Sequence, residues 1–340
     1  MGEIVHFTDI RTEYEGMEYI LTVLAIFLLT VKGVGGKKVG VQTRHSGDAY
    51  LFSMLRMALC VVVGFFIVIF SVGIGAFRVE WGMLLICLLS GIANAALLIF
   101  WLMAVARNAM VTVDVVLTIG SILPAIMTLI LFGEAIAPLK LVGFGLILVA
   151  TAILAGYNKQ AVGSSSLLGF ALAAITAVSD GAIGMTQQLY KHMYTVEGNL
   201  YKGTAYSQSI FHFYTYLFAA LILLAFFIGF LVIRRAKRKS SDQAETESPA
   251  EHRRAEWKRV LHVLPIIAVM AGCMFGAAWL QTTATGTYGM PSQIMYPMTK
   301  GGTLITVNIT AFLFFGERIT VRSVIGSLVA LCGVVAMNIL

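Results

Sequence analysis

A chain of 340 residues with 59% hydrophobic and only 12% charged side chains is too apolar for water to be its main solvent, because ordinary soluble domains carry about 25% charged residues. The net charge of +7 is gathered in a few segments between apolar runs, so it reports on membrane topology and gives no sign of nucleic-acid binding. Apolar stretches of roughly 20 residues recur along the chain and read as spanning helices in place of two soluble domains.

Residues 1–17 form a polar tail with Glu3, Asp9, Arg11, Glu13 and Glu15, without the basic start and small-residue cleavage site of a secretory signal. The first run, Tyr19 to Val34, ends among Lys32, Gly33, Gly35, Gly36, Lys37 and Lys38. Glycines there allow close helix packing, and the lysines are expected to snorkel to the interface. The second run extends from Tyr50 to Ile74 around Arg56, and the third from Trp81 to Ala106. The fourth goes from Val111 to Phe132 with Asp114 and Pro124 inside it, and the fifth from Leu139 to Tyr157. A linker at 161–166 follows, ending in the Gly/Ser stretch Gly163 to Ser166. The sixth run, Leu167 to Tyr190, contains Asp180, Gly181, Gly184, Gln187 and Gln188, and the seventh spans Ser207 to Ile233 with His212. A charged loop at 234–259 reads basic, acidic, then basic, and is too short and polar to be a folded domain. The eighth, ninth and tenth runs are Val260 to Thr285, Tyr288 to Phe315 and Thr320 to Leu340.

One arrangement occurs twice. Phe132, Gly133 and Glu134 close the fourth run, and Gly143 opens the fifth; Phe315, Gly316, Glu317 and Gly326 repeat the spacing after a shift of 183 residues. Ile126, Ile136 and Leu148 fall on Ile309, Ile319 and Leu331 under the same shift. This reads as an internal duplication, with a first five-helix repeat at 18–160 and a second at 167–340. An odd number of spans per copy sends the second copy into the membrane in the opposite sense. The expected fold is an all-α integral membrane protein of ten transmembrane helices in two inverted five-helix repeats.

Most of the 24 Lys and Arg residues lie on one set of alternate connections, above all in the 234–259 segment. The positive-inside rule puts that set in the cytoplasm and both termini outside. The expected location is the plasma (cell inner) membrane.

The two Gly-Glu corners, each after an apolar helix and before a Gly-containing one, the WLMAVARNAMVTVDVVLTIGSILPAIMTLILFGE segment at 101–134, and Arg56 on the second run carry a family likeness. Through them the chain resembles the drug/metabolite transporter superfamily in its EamA-like ten-helix form. The resemblance covers nearly the whole chain through loose motifs, and it leaves substrate, direction and coupling ion open. It implies a solute transporter with both termini in the cytoplasm, opposite to the charge count, and with a shorter connection than the one at 234–259. Lys300 looks like the ninth-helix lysine that phosphate- and nucleotide-sugar-carrying relatives place in the pocket. Its neighbours differ from theirs, so a phosphorylated substrate is not implied.

Ionisable residues inside a membrane are costly and mark cavities or partners. Arg56, Asp114, Asp180, His212 and Lys300 qualify. The 183-residue shift puts Asp114 on Pro297 and Leu117 on Lys300, one helical turn apart on symmetry-related helices. Such mates meet at a central axis, where substrate sites lie. Lys300 follows Tyr296 and Pro297 and precedes Gly301 and Gly302, a setting in which lysine and backbone can both meet a ligand; the structural alternative is a Lys300 to Asp114 ion pair that fixes packing. Burial of a carboxylate favours its protonated form, which makes Asp114 the candidate for proton coupling. Arg56 either lines the cavity or snorkels, Asp180 either lines it or bonds across helices, and His212 is read as a packed, hydrogen-bonded histidine. Asn94, Gln187, Gln188 and Gln281 are neutral polar candidates, while Trp101, Trp279 and Tyr296 are candidate walls or cation-binding faces. Trp81 and Trp257 are expected at the interface. Cys60, Cys87, Cys273 and Cys332 lack metal or redox spacing and read as buried small hydrophobes.

No enzyme signature, cofactor site or metal site is found in the sequence. The expected function is secondary active transport of a small organic metabolite or drug-like solute by alternating access, with proton coupling at Asp114. Its partners are that solute, protons and membrane lipids, the basic ends of 234–259 touching anionic headgroups. The alternatives are a lipid-translocating or channel-like protein and, less in keeping with the sequence, a membrane-embedded enzyme.

Overall fold

Backbone polar groups that enter hydrocarbon must be satisfied within the chain, so long apolar runs without closed-barrel patterning fold as helices. Every regular element among the described residues is helical. The computed structural model describes residues 16–43, 46–107, 110–120, 122–132, 138–162, 167–194, 205–240, 249–288, 290, 292–316 and 320–338. The helices are α1 (Met17–Gln42), α2 (Ser46–Ser71), α3 (Trp81–Arg107), α4 (Met110–Ile119), α5 (Ile122–Phe132), α6 (Pro138–Val162), α7 (Leu167–Tyr194), α8 (Gln208–Ser240), α9 (Pro249–Gly286), α10 (Ser292–Phe315) and α11 (Val321–Asn338), with a short 3-10 turn at Ile74–Phe77. Seven of them, α1, α2, α3, α7, α8, α9 and α10, contain segments long and apolar enough to cross a membrane, and α6 and α11 hold shorter apolar segments. Large apolar side chains such as Phe27, Phe70, Ile130 and Leu313 are exposed on the outer faces, which suits hydrocarbon and not water. The chain is an all-α, multi-pass membrane protein.

Three sequence expectations change. The first run does not stop at Val34: α1 continues to Gln42. Its glycines are packing surface and not an end, because a Cβ on Gly35, Gly36 or Gly40 would meet Met270, Trp101 or Val105. Close tertiary contact overrides their low helix propensity. The charged segment at 234–259 is largely helical, since α8 runs through Ser240 and α9 starts at Pro249; Lys, Arg, Glu and Ala are good helix formers that extend both helices past the apolar zone.

The fourth run is two helices. Pro124 cannot donate to residue 120, and its ring would collide with that carbonyl in a continuous helix. The chain instead turns at Gly120, whose N–H donates to the Leu117 carbonyl (3.0 Å) and whose carbonyl accepts from the Leu123 N–H (3.1 Å). The turn is pressed onto α7: a Cβ on Gly120 would fall on the Ala177 carbonyl oxygen, one on Gly181 against the Gly120 carbonyl, and one on Gly184 against the Pro124 ring.

In the bundle α1 packs on α9, α3 on α7 and α8, α2 on α8, α6 on α11, and α4 and α5 on α7, while α10 meets α1, α4 and α11. One apolar cluster gathers Val39, Phe52, Trp101, Val105, Val113, Val116, Val263 and Ile267 from α1, α2, α3, α4 and α9. A polar clasp accompanies it: Lys37 Nζ donates to the Val105 carbonyl (3.0 Å), and Arg259 is paired with Asp48 (2.6 Å). A second cluster joins Met83, Ile86, Cys87, Tyr190, Tyr194 and Phe211 from α3, α7 and α8. Gly316, at φ 61, ends α10 in the left-handed conformation that glycine adopts at low cost, which accounts for the glycine in the second Gly-Glu corner. The first corner, Glu317, the linker residues 163–166 and the N-terminal residues 1–15 lie outside the described residues. Cys60, Cys87 and Cys273 are buried as expected, whereas Cys332 is exposed.

Candidate functional site

A cavity of about 160 Å³ shares Trp101 with the first cluster and Phe211 with the second. Seven helical segments bring its polar groups together: Lys32 from α1, Ser90 and Asn94 from α3, Asp114 from α4, Asp180 and Gln187 from α7, His212 from α8, Gln281 from α9, and Thr299, Lys300 and Thr303 from α10. Of the sequence candidates, Lys300, Asp114, Asn94, Trp101, Gln187, Gln281 and Asp180 all line it. The side chain of Tyr296 lies outside the described residues, as does that of Trp257.

The ion pair differs from the expected one. Lys300 Nζ donates to Asp180 Oδ2 at 2.5 Å, with 23% and 21% of the two side chains exposed. The partner is therefore Asp180 on α7 and not Asp114, although Asp114 lines the same cavity.

Arg56 neither snorkels nor lines the cavity. It is 4% exposed, has no hydrogen-bond partner for Nε, and places its guanidinium carbon 5.6 Å from the centre of the Trp101 ring. Lys32 Nζ lies 5.6 Å from the same ring, so Trp101 is flanked by two cations that its π face attracts. Lys32 also feels the charges of Arg56, Lys300, Asp180 and Asp114. The sequence assigns Lys32 to the interface, and it is the principal site residue that sequence reasoning misses. A usable signal exists: Lys32 and Gly36 are one turn apart on one face, and Gly36 is the residue on which Trp101 rests.

His212 is buried at 2% exposure, and its Nε2 lies 3.2 Å from Thr282 Oγ1 on α9, the packed histidine expected, although it also forms wall. Asn94 Nδ2 donates to the Ser90 carbonyl (2.9 Å). Ser90 Oγ and Thr303 Oγ1 are buried at the cavity without hydrogen-bond partners. Buried hydroxyls are rarely left so, and both residues stand in the cavity wall. Trp279 is 39% exposed and takes no part in the wall, while Trp81, 72% exposed at the start of α3, suits the interface. The arrangement can bind and orient a small polar solute; no nucleophile and base stand in a catalytic pairing among the groups described.

No protein-family model matches the chain, and no curated protein matches it either.

Proposed function

We propose that the chain is a secondary active transporter of the drug/metabolite type, in which two inverted five-helix repeats carry a small organic solute across the plasma membrane by alternating access. The observation that carries this reading is the cavity among membrane-spanning helices whose wall combines the charged and polar side chains of Lys32, Asp114, Asp180 and Lys300 with residues of both apolar clusters. Charges at such depth are expensive unless they serve a ligand or an ion.

Two features support the repeat. The seven long apolar helices, the two shorter ones and the α4–α5 pair make ten spans. Packing partners also exchange when each helix is replaced by its counterpart in the other copy: α1 on α9 becomes α7 on α3, α1 on α10 becomes α7 on α4 and α5, and α10 on α11 becomes α4 on α6. The pairs α2 with α8 and α6 with α11 map onto themselves, as a two-fold axis requires. Asp114 and Lys300, on the symmetry-related helices α4 and α10, both line the cavity, and Asp114 is the group through which a proton would be coupled.

A metabolite library screened for thermal stabilisation of the purified protein, and repeated with Lys300→Ala, tests this reading, because a ligand of the native state raises its apparent stability. Compounds that stabilise the wild type and not the variant are then tested for counterflow in proteoliposomes. Saturable counterflow is the expected result. A flux that neither saturates nor exchanges would point to a channel and end the proposal.

A further inference from the structure

Resting on that reading, we infer that the solute is a small organic monoanion with a body about the size of one six-membered ring, its negative charge received at Lys32 beside Trp101. The charges in and around the cavity are not evenly matched. Asp180 is held by Lys300, and Asp114, which also lines the cavity, has an interaction of its own. Among the described residues, Lys32 lines the cavity over the Trp101 ring without a hydrogen bond or close ion pair, the charges of Asp180 and Asp114 acting on it from farther off against those of Arg56 and Lys300. Arg56, whose guanidinium carbon is 5.6 Å from the centre of the same ring and which is nearly fully buried, has no ion-pair partner among them either, and its Nε has no acceptor. A buried cation without a counter-ion is costly, and Arg56 together with the half-buried Lys32 near the same ring makes the Trp101 end of the cavity electropositive.

An anion arriving there gives Lys32 an acceptor and lies in the field of Arg56 near the same ring, whereas a cationic solute would be repelled by both. The remaining wall supplies the second half of the specificity. Leu29, Leu97 and Leu304 are apolar, and a volume of about 160 Å³ is comparable with the ~150 Å³ of cavities that accept a benzene-sized guest.

The test uses three solutes of one shape and different charge, benzoate, benzamide and benzylammonium, in thermal unfolding of the purified full-length protein at matched ionic strength. Benzoate is expected to raise the unfolding temperature, and the other two are not. Lys32→Gln is expected to weaken the benzoate response by about tenfold or more, the loss of a hydrogen bond to a charged group, and Lys32→Arg to restore part of it. The wild-type comparison decides the charge preference even where a variant fails to fold. Equal or better stabilisation by benzamide or benzylammonium would overturn the inference, as would no response to benzoate or a Lys32→Gln protein that responds like wild type. None of those results touches saturable counterflow of another solute, by which the transporter reading itself stands or falls.

Discussion

The segment formed by α4 and α5 and the helix α10 have related sequences and opposite backbones. Both cross the bundle beside the cavity, both contribute a charged side chain to it, and a shift of 183 residues carries Phe132 onto Phe315. Yet the first is interrupted at Gly120 and the second is continuous from Ser292 to Phe315. Under the same shift Pro124 meets Val307, and Gly120 meets Thr303. Proline alone does not explain the interruption, since α9 contains Pro265 and stays continuous. In α9 the residue four positions earlier is Leu261; in the interrupted segment it is Gly120, which lets the chain turn and lie on the backbone of α7. A proline supplies the need to break, and a glycine with a glycine-lined partner supplies the place. At the corresponding point α10 keeps its helix, and Thr303 there lines the cavity.

The contrast is broken most directly by Gly120→Ala. Its Cβ would fall on the Ala177 carbonyl oxygen, a backbone atom of α7 that cannot rotate away. Overpacking of this kind costs about 1–3 kcal/mol or more, and here the strain reaches the wall that holds Asp180. We expect a large drop in unfolding temperature or failure to accumulate folded protein, read by thermal unfolding in detergent and by size-exclusion profile. A variant as stable as the parent would mean that the turn at Gly120 does not rest on α7.

The break shows which parts of the molecule can be read in advance. Pro124 and Gly120 are visible in the sequence, but the partner glycines Gly181 and Gly184 sit some 60 residues away, and only their contact turns a tolerated proline into an interruption; apolar periodicity cannot rank such pairs. The runs themselves are legible because hydrocarbon demands helices of a minimum length. Asn94, Asp114, Asp180, Gln187, Gln281 and Lys300 are legible as cavity residues because hydrocarbon tolerates a charge or an amide only where a cavity or a partner receives it. Lys32 escapes the same logic because the glycines after it look like a helix end until Trp101 and Met270 are seen packed on them. The choice of Asp180 over Asp114 as partner for Lys300 depends on side-chain reach between three helices, which no spacing along the chain encodes.

A smaller effect is expected when α10 loses its charge. Lys300→Ala leaves the Asp180 carboxylate without its partner, and the cost should fall below the roughly 3–5 kcal/mol of a fully buried pair, because 21% of the Asp180 side chain is exposed. Adding Asp180→Asn to Lys300→Ala removes the stranded charge, so the double variant is expected to be more stable than Lys300→Ala alone. Thermal unfolding of the single and double variants measures the coupling. Additive losses would show that the two residues do not act as a pair.

The smallest effect belongs to the glycines of α10. A Cβ on Gly302 would meet Cδ1 of Ile26 on α1, the far end of a flexible side chain that can change rotamer. Against that displacement stands the gain from replacing glycine by alanine inside a helix, about 0.5–1 kcal/mol. The two terms nearly cancel, and Gly302→Ala is expected to shift stability by less than about 1 kcal/mol in either direction, measured beside Gly120→Ala under the same conditions. Both substitutions add one methyl group to a glycine in a tight helix contact, and they differ in what the methyl group meets: a peptide carbonyl fixed by its helix in one case, a terminal methyl in the other. Equal losses from the two would mean that crowding alone governs both segments, and the distinction between an interrupted helix locked by backbone contact and a continuous one cushioned by side chains would fail.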